Sequence, residues 1–532
     1  MFYAEKVFIN GNIITMNPAQ PRAEAVAVFG DRIIAVGSNS DMQTIINADT
    51  KVINLEGKTM IPGLNEGHAH LLQFGLDSLN LDVGPEQCPN LHVMKKKIAE
   101  RAATLEPGVW IQGWGWDEVR MEEGRAPSVE DLTEAAPNNP VILIRTCYHM
   151  VAVNQMALDM AGITDNTPDP EGGKIVRGAN GKATGLLQDT AQDYVRAVIP
   201  PPGKDQLKKA MAQAAKIYNS QGITSTTDAG MLTEVRDEIP AWCEASKEGL
   251  LTVRTTTLML PDIVSKVREL GLPSNFGNDM LKFGCAKFFM DGSVGGGTAG
   301  MTKPYLKSEY GTGLIYMEQE ELSSKIKDVH DAGYQISVHG IGDRTLDIIL
   351  TAFEEALAAN PRENHRHRIE HFSMSYPHLL DRAKKLGLTI NMNPGFLYFL
   401  GDSHIINIGD EVNYEFAMKT AIDKGIVVSA GSDRPVINGH PKYTLYSMVQ
   451  RDTISGKDCG KSECITMEQA LYAYTMAGAY QTFDENKKGS IEPGKLADFA
   501  VLSLAPTDVA PHDILNMEVL MTVLGGEIVF SV

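Results

Sequence analysis

The chain has 532 residues, more than one ordinary core supports, and 43% of them are hydrophobic, enough for a large barrel with a smaller attached domain. Lys and Arg total 48 against 67 Asp and Glu, a formal net charge of −19, so the overall field does not favour nucleic acid or an anionic membrane as partner. Six scattered cysteines (Cys88, Cys147, Cys243, Cys285, Cys459, Cys464) form no Cys-x-x-Cys pair, which argues against a zinc ribbon or redox pair and suits a reducing compartment.

The first residues, Met1 to Lys6, show no basic segment followed by an apolar core, and no apolar run approaches ~20 residues. Neither a secretory signal nor a membrane span is expected, and the cytoplasm is the expected location. From residue 1 to about 60 the text reads as short strands and turns: Val7-Phe8-Ile9, then Asn10-Gly11-Asn12, then Ala25 to Val28 passing through Gly30-Asp31 into Ile33 to Val36. The end of the chain has the same character, with Ala500-Val501-Leu502 and a Val519 to Ile528 run interrupted by Gly525-Gly526. Both termini are therefore expected to build one small β-sandwich, over 1–60 and 488–532.

Between them, strand and helix patterns alternate, which favours parallel βα units and an α/β fold. Eight candidate strands end near Gly67, Asp228, Met259, Phe289, Val338, Ile369, Met392 and Ala430, and a helical pattern beginning near Asp205 precedes the second. This predicts a (β/α)8 barrel of the TIM type over 61–487. Residues from about 78 to 203 are too many for one connection and are expected to form an insertion after the first barrel strand. It holds Trp110, Trp114 and Trp116 and the strand-like run Val141 to Ile144.

The most informative feature follows the apolar run Met60 to Leu64: His68 and His70, one residue apart. In a strand, residues i and i+2 face the same side, so both imidazoles can converge on one metal ion. Chemistry in such barrels sits at the C-terminal strand ends, and reading those ends adds Lys287, His339, His371 and Asp433. Imidazole and carboxylate together suit Zn²⁺ or a similar divalent ion, one or two in number. Each residue also has a plainer reading: His339 or His371 as a satisfied core histidine, Asp433 as a helix N-cap. Lys287, in Cys285-Ala286-Lys287-Phe288-Phe289-Met290, is the least ordinary, because a buried ammonium must pair, snorkel or lose its charge.

Several stretches carry a resemblance to a known family. They include Ile61-Pro62-Gly63 before His68-Ala69-His70, then Gly113-Trp114-Gly115-Trp116-Asp117-Glu118 and Val153-Asn154. Further on come Pro168 to Gly173, Thr184-Gly185-Leu186-Leu187, Lys287 to Gly292 and Gly489 to Asp498. Over essentially its whole length the chain resembles the amidohydrolase superfamily, in the family 3 branch that includes N-substituted formamide deformylase. The resemblance implies the barrel, the split β-sandwich and a metal centre. By position it implies that His68 and His70 are the first-strand ligands and that Lys287 is the fourth-strand lysine, often carboxylated by CO2 to bridge two metals. It implies in the same way that His339 and His371 are the fifth- and sixth-strand ligands and Asp433 the eighth-strand aspartate; Asp433 is also the expected carrier of the proton from water to the leaving nitrogen. The family often has an Asp two positions before the first histidine, where this chain has Glu66. The glutamate found a few positions after the fifth-strand histidine in single-metal deaminases is absent from Gly340-Ile341-Gly342-Asp343.

The expected activity is metal-dependent hydrolysis of an amide-type C–N bond (N-formyl, N-acyl or cyclic amide) in a small molecule. The alternatives are ring opening or deamination of a small heterocycle, or a non-catalytic regulatory protein that keeps the fold. Trp114 and Trp116 either wall the substrate pocket or pack the insertion core, and His149 is a candidate donor to the substrate. The expected partners are a small-molecule substrate and, where it self-associates, a second copy of the chain as a homo-oligomer.

Overall fold

The computed structural model describes residues 3–145, 150–170, 172–230 and 237–532. The chain divides into two compact units, one made of 1–72 with 214–532 and the other of 73–213.

The first unit contains a barrel of eight strands: β1 (Leu64–Ala69), β2 (Ile223–Asp228), β3 (Arg254–Met259), β4 (Leu281–Phe289), β5 (Ile336–Gly340), β6 (Arg368–His371), β7 (Thr389–Met392) and β8 (Val428–Ala430). Each pairs in parallel with the next. The ring is nearly closed. Its remaining seam is bridged at the C-terminal end, where Asp433 N–H donates to His68 O (2.8 Å) and His70 N–H to Arg434 O (2.8 Å). Gly431 allows this approach, since a Cβ there would lie 2.6 Å from His68 N. The strands are covered on their outer side by helices such as Gln319–Asp331, Asp343–Ala359 and Pro377–Lys385, each with an apolar face.

The same unit holds two further sheets. One is built from Arg32–Gly37, Ala25–Phe29, Lys6–Ile9 and Lys51–Asn54; the other runs Glu527–Ser531, Val519–Leu524, Phe499–Leu502, Thr59–Pro62, Asn12–Ile14, Arg22–Ala23. Phe8, Val26 and Val28 of the first pack with Met60, Phe499 and Val501 of the second, so strands from both termini share one sandwich core. Met60 to Pro62, the first part of the apolar run before the two histidines, therefore belongs to this sandwich. Thr59–Pro62 pairs antiparallel with Phe499–Leu502, and the chain changes sheets at Gly63, where a Cβ would fall 2.1 Å from Thr224 Oγ1. At the base of the barrel Arg254 donates from Nε and Nη2 to both oxygens of Asp498 (2.7 and 3.0 Å), and Gly525 N–H joins the same carboxylate (2.8 Å). Both side chains are buried, so this bidentate pair ties barrel to sandwich.

Three buried histidines sit at the N-terminal ends of β5 and β6. His367 Nδ1 accepts from Ile336 N–H (3.0 Å), so its Nε2 carries the proton and donates to His330 Nδ1 (2.8 Å). His330 Nε2 donates to Asn360 O (2.7 Å). His365 Nδ1 accepts from His367 N–H (3.0 Å), and its Nε2 donates to Leu386 O (3.0 Å). Each ring thus holds one proton, and a second would displace a bond already made. Burial pushes His365 down to about 4 and holds His367 well below its usual range. Rings held low bind fewer protons folded than unfolded, so their stabilisation is complete above the unfolded value of about 6.5 and is lost as pH falls towards 4. Metal-free protein should lose about 1.4 kcal/mol per pH unit for each such ring in this window. The check is the thermal midpoint between pH 7 and 5, with a smaller slope in His365→Gln. An unchanged slope in that variant would contradict the assignment.

The second unit is a mixed six-stranded sheet in the order Gly173–Arg177, Ala183–Asp189, Met150–Val153, Val141–Arg145, Ile111–Trp116, Leu81–Asp82. Helix Leu91–Ala102 packs on it through Leu91, Met94 and Ile98. No helix among the described residues is long and apolar enough to cross a membrane, and the five described cysteines are free thiols.

Candidate metal centre

Parallel strands place their C-terminal residues on one face, and the barrel gathers the polar ends there. In β1, Glu66 and His68 share a parity and both are buried, an arrangement that requires partners for each. Glu66 accepts from Ser432 N–H (2.6 Å) and Tyr474 Oη (2.8 Å), which pins the turn leading to Asp433. Burial pushes its carboxyl up to about 7 against these donors. The position where the family often has Asp is thus filled by a Glu that braces the turn carrying Asp433.

His68, His70 and Asp433 converge. Their would-be ligand atoms all lie within 4.8 Å of one another. Asp433 Oδ1 is 3.4 Å from His68 Nε2 and 3.2 Å from His70 Nε2, yet it has no hydrogen-bond partner among the described residues. His68 Nδ1 lies 2.6 Å from Glu370 Oε2. The Arg368 guanidinium keeps Glu370 ionised, well below the usual carboxylate range, although burial opposes this. An ionised acceptor requires the proton on His68 Nδ1, so the Nε2 lone pair faces the Asp433 oxygen. Two lone pairs aimed at each other at this distance repel unless a cation lies between them. The donor set therefore fits a divalent metal ion.

The other three expected residues adjoin this cluster. The His371 ring lies 4.7 Å from that of His68 and 4.4 Å from that of His339, centroid to centroid. His371 donates from Nδ1 to Asn393 Oδ1 (2.8 Å), leaving Nε2 as its lone pair. Burial, with His339 and His68 alongside, holds His371 well below its ordinary value, the neutral form that a ligand requires. His339 Nε2 is 3.1 Å from Gly292 O and 3.3 Å from Asp291 Oδ1. Asp291 is itself fixed by the N–H groups of Gly300 (3.0 Å), Ile341 (3.1 Å) and Gly342 (2.8 Å).

Lys287 is 1% exposed, and its Nζ has no hydrogen-bond partner among the described residues; it lies 4.9 Å from the centroid of the Phe289 ring. Burial pulls its amine down to about 8. Burial also opposes ionisation of Asp433, but with no metal between them a proton carried by the His68 and His70 rings towards its oxygen outweighs burial and holds the carboxyl well below its usual range. His371 and Asp433 both have positive φ, 69° and 57°, a backbone strain of the kind found where geometry serves a site.

The N-cap reading of Asp433 does not hold. The next helix is Pro441–Gln450, and its cap is His440, seven residues beyond Asp433. Trp114 and Trp116 lie in the second unit. Trp116 is fully buried in its core and donates Nε1–H to Leu143 O (3.0 Å), while Trp114 is 38% exposed. His149 lies outside the described residues. Sequence reasoning passed over Glu370, Asn393, Asp291 and Asp228. Asp228 Oδ2 accepts from Leu72 N–H (3.1 Å) at the start of the helix that follows His70. A signal for Glu370 was present: a carboxylate next to His371 in a strand otherwise expected to be buried.

A profile described as the amidohydrolase family matches residues 51–530. YtcJ of Bacillus subtilis is 32% identical over 533 residues, covering 99% of each chain. N-substituted formamide deformylase of Arthrobacter pascens is 28% identical over 539 residues, covering 98% of this chain and 97% of its own. The crystal structure of an uncharacterized metal-dependent hydrolase from Pyrococcus furiosus superposes with a TM-score of 0.78 at 25% identity, over 94% of this chain and 100% of its own.

Proposed function

Because the chain belongs to the amidohydrolase family, we propose that it hydrolyses an amide-type C–N bond in an N-formyl, N-acyl or cyclic amide. It is a metal-dependent enzyme of the amidohydrolase fold that acts on a C–N bond of a small molecule. The finer reading rests on one observation above all: the Asp433 oxygen that faces two imidazole nitrogens without a hydrogen bond. Its relative that cleaves N-substituted formamides supports the amide class.

Imidazole and carboxylate donors suit zinc; His68, His70, His339, His371 and Asp433 would hold one or two such ions, and Lys287, once carboxylated, would add a further anionic ligand. Such ions supply Lewis acidity, lowering the pKa of water and polarising a carbonyl. Asp433 takes the proton released as water oxygen bonds to the carbonyl carbon. It then delivers that proton to the nitrogen as the C–N bond breaks, leaving a carboxylic acid and an amine. His371 stays neutral and does not compete for this proton.

Screening zinc-loaded protein against N-formyl, N-acyl and cyclic ureide compounds tests the substrate class. Turnover confined to heterocyclic amines, with ammonia released, would replace it with deamination. His70→Ala should lower the bound metal below one equivalent by elemental analysis and abolish turnover, and a variant with full metal and full activity would remove His70 from the centre. The tryptophans are part of the same proposal. Trp114→Ala, altering the one with an exposed face, should change KM or substrate preference and leave metal content alone; unchanged kinetics would give it a packing role only.

A further inference from the structure

We propose that Glu370 is a positioning residue for the metal centre: with Arg368 and Ser337 it fixes the tautomer of His68 and thereby sets the metal affinity. The inference rests on the metal reading above and goes beyond its ligand set.

Glu370 is completely buried and is reached from three sides. Oε2 lies 2.6 Å from His68 Nδ1 and takes Arg368 Nη2 at 2.8 Å. Oε1 takes Ser337 Oγ at 2.6 Å and Arg368 Nε at 2.5 Å. Arg368 Nη2 also donates to Gly67 O at 2.9 Å, so the same guanidinium holds the backbone immediately before His68. Strand periodicity explains the assembly. Arg368 and Glu370 are i and i+2 on β6 and face the barrel interior together, where Ser337 of β5 and His68 of β1 meet them.

A role as counter-ion to Arg368 alone would be met by the two oxygens facing the guanidinium. It would not call for the close contact with His68 Nδ1. The contrast with His371 makes the point sharper. His371 donates to the neutral amide oxygen of Asn393, whereas His68 donates to a carboxylate. An anionic acceptor draws the Nδ1 proton and makes Nε2 the better donor to a metal, and it prevents the ring from rotating or exchanging tautomers. Removing such a partner typically weakens metal binding ~10–100-fold.

The test uses the full chain stripped of metal, with folding followed by circular dichroism. Zinc affinity is measured by competition with a chromophoric chelator, and the Co²⁺ absorption bands report the ligand field. Glu370→Gln should bind zinc ~10–100-fold more weakly than wild type and shift the Co²⁺ bands. Because it leaves Arg368 buried without its counter-ion, the double variant Arg368→Met/Glu370→Gln serves where the single one fails to fold. It removes both charges and should show the same loss of affinity. A folded Glu370→Gln or double variant with wild-type zinc affinity and unshifted Co²⁺ bands would overturn the role of Glu370 and leave the metal centre standing. A wild-type protein that binds neither ion would overturn the metal reading itself, and this inference with it.

Discussion

Asp433→Asn should lower kcat by roughly 10²–10⁴-fold, the usual worth of a positioned acid–base group, while the protein keeps most of its metal. The amide preserves the shape and an oxygen facing His68 Nε2 and His70 Nε2, but it cannot accept and return a proton. The carboxyl is held well below its usual range, so at neutral pH it is ionised and ready to accept. A capping role cannot mimic this result, because the following helix is capped by His440 and Asn would in any case cap about as well as Asp. The measurement is single-turnover kinetics beside metal analysis of the same sample. Full activity in Asp433→Asn would remove this residue from proton transfer and leave it a ligand only.

Lys287→Ala should reduce turnover by ~10²–10³-fold or more, as expected when a charge organised around the reacting atoms is lost. The amine is buried without a hydrogen bond from any described residue and is pulled down to about 8, so a neutral fraction is present near neutral pH. A neutral amine can attack CO2, forming an N–C bond and releasing a proton. The resulting carbamate would be an anion suited to sit between two cations. A short carboxylic acid, entering the space left by Ala, should restore part of the activity. Carbon-13 NMR of metal-loaded protein prepared in labelled bicarbonate should show the carbamate. A metal-replete enzyme that is active with an unmodified Lys287 ammonium would favour a single-ion mechanism and dismiss the bridge.

Much of the barrel was legible in the residues themselves. A strand shows its side chains alternately, so His68-Ala69-His70 placed two imidazoles on one side before any partner was known. Buried parallel strands are continuous apolar or β-branched runs, which is why Ile223–Asp228, Leu281–Phe289, Thr389–Met392 and Val428–Ala430 ended where their text suggested. β5 and β6 each ran two residues further than expected, to Gly340 and His371, which puts His339 and His371 within strands. Strand length depends on the neighbour's ladder, and a single segment does not reveal its neighbour.

The same limit explains the run Met60 to Pro62. Its hydrophobicity suited either sheet, and only pairing with Phe499–Leu502, more than 400 residues away, assigned it to the sandwich. The partners of the ligand residues were hidden for a related reason. Nothing local links Glu370 to His68, 302 positions apart, or Glu66 to Tyr474, 408 apart. Residue chemistry and strand periodicity thus determined which groups could bind a metal. Closure of the barrel decided which hydrogen bond each imidazole makes, and so which nitrogen is left to bind, because a tautomer is set by a neighbour that only the folded chain supplies.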